Sequence, residues 1–89
     1  MNSLDSIAAD FVAAGFVAHS NGSDVKVSFA STPALYWIQP EGDRYGVTLF
    51  AGIDRNTNDW AFEVELDGGF YAEGQLLALI AKDSKARNL

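Results

Sequence analysis

Between Ala34 and Leu66 the apolar residues of this chain recur at every second position, and two polar turns cut the pattern into three segments. Successive side chains of a strand point to opposite sides, so a strand buried on one face requires this period. In the middle segment Tyr45, Val47, Leu49, Ala51 and Ile53 fall on one side, with Gly46, Thr48, Phe50 and Gly52 on the other. In the third, Trp60, Phe62, Val64 and Leu66 share a side, opposite Asp59, Ala61, Glu63, Glu65 and Asp67. The expected sheet has one aromatic and aliphatic face and one acidic face.

Helical patterns flank these strands. Ser3 is placed to cap a helix, and Asp5 stands in the first turn, where the dipole favours an acid. Leu4, Ile7, Ala8, Phe11 and Val12 follow the amphipathic template, and Gly15 supplies a stop. Phe16 to Ser20 fits a last helical turn or a short strand, the strand being preferred, and Asn21-Gly22 predicts a two-residue type I′ hairpin ahead of Val25, Val27 and Phe29. Ser31-Thr32-Pro33 breaks that strand, because proline cannot donate to a ladder. Turns follow at Glu41-Gly42-Asp43 and Asn56-Thr57-Asn58-Asp59, and Asp67-Gly68-Gly69 ends the sheet. A second helix is expected from about Phe70 to Lys85, with an apolar stripe through Leu76, Leu77, Ile80 and Ala81, and with Gly74 packed close on the sheet. These elements predict an α+β fold over residues 1–89 as one domain: an antiparallel meander of four to five strands, with an N-terminal and a C-terminal helix packed on one face. Trp60, Phe62, Val64, Leu49, Phe11 and Leu77 are expected in the core. Either Tyr36 and Ile38 or Leu35 and Trp37 must face away from the helices.

Charge narrows the possible partners. The net charge is −6, and residues 1–73 hold eleven acids against Lys26, Arg44 and Arg55, while Lys82, Lys85 and Arg87 face only Asp83 beyond them. Phosphate binding needs clustered Lys and Arg, so direct nucleic-acid binding and anionic membranes are disfavoured and a basic protein surface is the expected partner. The chain has no cysteine, which fits a reducing compartment. No basic region opens the sequence, and the apolar run from Phe11 to Ala18 is too short to span a bilayer. A cytoplasmic protein, monomeric or a small homo-oligomer, is the expectation.

The polar residues converge on no catalytic constellation. His19 is the only histidine, and with no cysteine there is no nitrogen and sulfur set for a metal and no nucleophile beside a base. Glu63 and Glu65, in line with Asp59 and Asp67, form an acidic stripe. An exposed strand face gives such carboxylates similar environments, whereas a catalytic acid and base need different ones. The stripe either solvates an open sheet face or recognises a partner. Gly68-Gly69 lies beside Asp67 and Glu73, which repel phosphate, so it reads as a strand-to-helix turn. Phe50 shares parity with Thr48 and Gly52 and should lie on the open face, a candidate contact together with Tyr36. No enzyme, cofactor or metal is expected. The expected function is a small acidic binding protein, an inhibitor or regulator that occupies a basic, nucleic-acid-binding surface of a larger protein through Phe50, Tyr36, Asp59, Glu63, Glu65 and Asp67. Compact acidic proteins such as phage-encoded inhibitors of host defence resemble this chain in size and charge. The alternative is a subunit or adaptor joined to an assembly through the open sheet face or an edge strand.

Overall fold

A computed structural model describes residues 3–30, 33–54, 56–65 and 70–89, the side chains of 51, 53, 54 and 59–65 excepted. The elements run α1 (Ser3–Ala13), β1 (Val17–Ser20), β2 (Val25–Ser28), β3 (Ala34–Glu41), β4 (Arg44–Asp54), β5 (Asp59–Glu65) and α2 (Leu76–Ala86). The strands form one antiparallel sheet in chain order. The fold is α+β, an open meander with both helices on one face.

The alternating residues assemble this core as rows across the sheet. Ala18, Val27, Tyr36 and Leu49 follow one another in register, and Val25, Ile38 and Val47 form the next row. Leu4, Ile7, Ala8 and Phe11 of α1 and Leu76 and Ile80 of α2 close over these rows in one cluster. Each fully buried aliphatic side chain contributes about 1.5–3 kcal/mol. Val12, expected in the stripe of α1, is 55% exposed. The helix packs mainly on β1 and β2, and a single contact line covers fewer positions than the full template.

Gly15 ends α1 as expected, at φ +96°. Its N–H donates to the Val12 carbonyl, and the Phe16 N–H donates to the Phe11 carbonyl at 2.9 Å. This pair of bonds is a Schellman cap, and its usual apolar contact is present as the edge-on Phe11 and Phe16 rings, 5.6 Å apart.

Four local expectations are corrected. The first hairpin has a four-residue loop, 21–24, because Ser20 pairs with Val25. Asn21 Oδ1 accepts the N–H groups of Ser23 and Asp24 at 2.8 and 3.0 Å, which favours the longer closure over the two-residue type I′ turn. The second helix begins at Leu76 rather than near Phe70. Tyr71 exchanges two backbone hydrogen bonds with Tyr45, both 2.8 Å, which holds it as a bridge to β4. A single 3-10 turn, Glu73–Gln75, follows, and Gln75 Oε1 accepts the Ala72 N–H. Gly74 therefore sits exposed in that turn, and a Cβ there would touch nothing, so sheet packing is not its role. On α2 the buried positions are Leu76, Ile80 and Ser84, while Leu77 is half-buried at the margin of the core.

Leu49 and Phe11 are buried as expected. The expectations for Trp60, Phe62 and Val64 fall on side chains outside those described, and the turn at Asp67-Gly68-Gly69 lies outside the described residues.

Candidate functional site: the open sheet face

Among the described elements, both helices pack on one face of the sheet, and the other face is left to the opposite parity of the strands. Its composition follows from register. One row across it reads Val17, Ser28, Leu35, Phe50 and the backbone position of Phe62; the next reads His19, Lys26, Trp37, Thr48 and the position of Glu65. Trp37 and Phe50 lie diagonally across β3 and β4, with ring centroids 5.9 Å apart and planes tilted by 41°. Both are half-buried, and Leu35 between them is 8% exposed. Diagonal neighbours on a sheet face reach one another only when the side chains are large, as here.

At the end of this face near the Gly42-Asp43 turn, Gly46 lacks a side chain, and the Phe70 ring comes within 3.6 Å of where its Cβ would stand. Phe70 covers bare backbone there yet remains 60% exposed. The Tyr45 and Tyr71 pairing sets this arrangement: when those two residues oppose each other, Phe70 falls opposite Gly46. Val17, 45% exposed, marks the other apolar margin.

Phe50 thus stands on the open face, as its parity predicts. Tyr36 does not. It is fully buried on the opposite face, where its hydroxyl donates to Asp83 Oδ2 of α2. The same oxygen accepts from Arg87 Nε at 2.9 Å. Burial first, then the hydrogen bond to Asp83 and its negative charge, raise the Tyr36 pKa well above that of a free phenol, and Arg87 acts weakly the other way. A partner cannot reach this ring, and of its strand neighbours Trp37 is the one that lies half-buried on the open face.

Asp59, Glu63 and Glu65 are placed by backbone alone in β5, their side chains lying outside those described, and Asp67 lies outside the described residues altogether. The pairing of β4 with β5 departs from strict alternation. Thr48 pairs with Glu65, Leu49 with Val64, Phe50 with Phe62 and Ile53 with Trp60, with register shifts on both sides of Phe50. Gly52, at φ +84°, permits the irregularity in β4 and donates its N–H to the Pro33 carbonyl. The opposite side of the open face differs in charge from the stripe expected on β5. Lys26 is exposed on β2, with His19 exposed beside it on β1.

The sequence left further features unread. Phe11, Phe16, Phe29 and Tyr36 form an edge-to-face run with centroid spacings of 5.6, 6.3 and 5.9 Å, leading from α1 to the Tyr36 and Asp83 bond on α2. Among the described residues, Trp37 Nε1 and Asp24 Oδ1 are buried atoms with no hydrogen-bond partner. No group of three or more potential metal ligands occurs among the described residues. No helix among them is long and apolar enough to cross a membrane. The described part of the open face offers aromatic area at Trp37 and Phe50, a few polar positions, and Lys26 towards one edge. The chain matches no family model, no curated protein and no solved structure.

Proposed function

We propose that the chain is a small acidic binding protein of the cytoplasm, an inhibitor or regulator that docks its open sheet face on a basic surface of a larger protein. The observation that carries this reading is the aromatic pair Trp37 and Phe50 on a face that neither helix covers. Large aromatics supply most of the holding energy at interfaces, while charge speeds encounter and selects the partner. The net charge of −6 and the acids in the β5 sequence favour a basic target, for which a nucleic-acid-binding surface is a natural candidate. The absence of cysteine suits a reducing cytoplasm. A second reading, a subunit joined to a larger assembly through the same face, draws on the exposed apolar margin of Val17 and Phe70.

The test is binding kinetics against a basic protein that co-purifies from the native host. The double substitution Glu63→Lys with Glu65→Lys should slow association and flatten its salt dependence. Phe50→Ala should raise the dissociation rate by roughly 5- to 30-fold, the equivalent of about 1–2 kcal/mol. Phe50 lies outside the buried core cluster, so this variant should stay folded. Unchanged rates in both variants would remove this face as the docking surface. A complex indifferent to salt would favour the assembly reading instead.

A further inference from the structure

The loop that joins β1 to β2 holds a reactive pair. Asn21, Gly22 and Ser23 are all exposed. Three groups there match what closure of an asparagine side chain on the next backbone nitrogen requires. The first is the nucleophile. The Gly22 N–H takes no part in the ladder and donates to Ser20 Oγ across a long 3.4 Å. Glycine has no Cβ to shield its nitrogen, and nothing lies within 4 Å of where a Cβ would stand, so no neighbour crowds the approach. The second is the electrophile. Asn21 Oδ1 accepts the N–H groups of Ser23 and Asp24 at 2.8 and 3.0 Å. These two donors polarise the carbonyl and stand ready for the negative charge that builds on its oxygen under attack. The third is the leaving group: Nδ2 belongs to an exposed side chain, so water can protonate it. Asparagine is a thermolabile residue, and the other four, at 2, 56, 58 and 88, each precede a residue that carries a side chain.

We propose that Asn21 is a modification site of this chain, converted through a succinimide to aspartate and isoaspartate. Attack within the chain through a five-membered ring replaces an encounter between separate molecules. In the first step the Gly22 nitrogen bonds to Asn21 Cγ and the Cγ–Nδ2 bond breaks. Ser20 Oγ is placed to take the Gly22 proton as the bond forms, and Nδ2 leaves with one added proton as ammonia. In the second step water opens the ring, and no atom is oxidised or reduced. Cleavage at Cγ leaves aspartate on the original backbone. Cleavage at the original peptide carbonyl leaves isoaspartate, whose main chain runs through Cβ and Cγ. Either product adds one negative charge to the −6 of the chain. Aspartate keeps an oxygen for the Ser23 and Asp24 N–H groups, now charge-assisted. Isoaspartate lengthens the loop and gives up the side-chain arm that holds it, which loosens the pairing of Ser20 with Val25.

Peptide mapping of the folded chain, held for several weeks at about 37 °C and at about pH 6 or about pH 8, tests this. Trypsin cleaves after Lys26 and releases residues 1–26. Fragmentation should place a gain of one mass unit at Asn21 ahead of every other asparagine. The gain should be faster at the higher pH, because the attacking nitrogen must shed its proton. Gly22→Ala should slow it by about tenfold or more. Asn21→Gln should abolish it at that position, since the ring would need a sixth member, and it leaves Gly22 in place should Gly22→Ala not fold. Circular dichroism checks the fold of both. A synthetic peptide of residues 16–26 gives the rate without the fold, and the native chain should convert within about tenfold of it. The purified isoaspartate form should melt below Asn21→Asp; equal melting would overturn the effect assigned to the loop. Asn21 left intact over these weeks would overturn the proposal, as would conversion spread evenly over the asparagines. So would a native rate further below that of the peptide, because the two Oδ1 bonds would then hold the side chain away from Gly22. None of these results touches the reading of a basic partner, which is decided by its own kinetics.

Discussion

Tyr36 carries the most consequential single hydroxyl in the described structure. It joins the middle strand to α2 across 47 residues of sequence through its bond to Asp83. Tyr36→Phe keeps the ring in the core and leaves Asp83 paired with Arg87. The variant should lose about 1–3 kcal/mol, measured as a lower urea midpoint at an unchanged slope. The pH dependence has a definite sign. The folded chain retains a phenol proton that the unfolded chain releases from about pH 10 upward, so this group's stabilisation is complete below that pH and lost above it. Between about pH 8 and about pH 10.5 the wild type should therefore lose more stability than Tyr36→Phe. Equal losses would mean that the hydroxyl is not held as described. Leu35 to Ile38 is apolar throughout, so the run suggests a strand but its missing alternation cannot say which parity faces the helices. Register can. Once the turn is set at Gly42-Asp43, counting back from it places Trp37 opposite Thr48 and Leu35 opposite Phe50. The sequence therefore holds the open-face pair, but only through its turn.

Elements were legible where one local signal acted alone. The stop of α1 is an example, since a glycine after an apolar stripe has few other roles, and the short β1 follows from it. Tertiary pairing overrode local pattern further along. Phe70 and Tyr71 suit the first turn of a helix, yet backbone bonds to Tyr45 hold Tyr71 in an extended bridge and delay α2 to Leu76. Alternation alone gives no warning of the register shifts around Phe50. Two glycines turn this contrast into a measurement. Gly15→Ala places a Cβ in open space but at φ +96°, so it should destabilise by about 1 kcal/mol or more through backbone strain alone. Gly74→Ala adds a Cβ that also meets nothing, in the 3-10 turn and without a positive φ. It should raise stability by about 0.4–1 kcal/mol, by restricting the unfolded chain. Thermal melts of the two should move in opposite directions. A loss at Gly74 would place it in a closely packed element after all.

The whole molecule is a sheet closed on one side by its first and last elements. At 89 residues the margin of stability is narrow, about 5–10 kcal/mol in all. Leu76→Ala or Ile80→Ala should remove about 2–5 kcal/mol of it, because both side chains are almost wholly buried. Leu77→Ala, at the margin of the core, should cost clearly less. The reverse order in denaturant midpoints would rotate α2 on the sheet.

The order of the strands bears on how the chain leaves the ribosome. Every strand pairs with its neighbour in sequence, so hairpins can form as they emerge, without waiting for distant segments. The lid over Tyr36 and Leu49 comes last, since Leu76, Ile80 and Asp83 lie near the C-terminal end. At about 5–20 residues per second, synthesis from Asp54 to Ala86 takes roughly 2–6 s. For those seconds the nascent sheet shows apolar side chains on both faces, and afterwards on one.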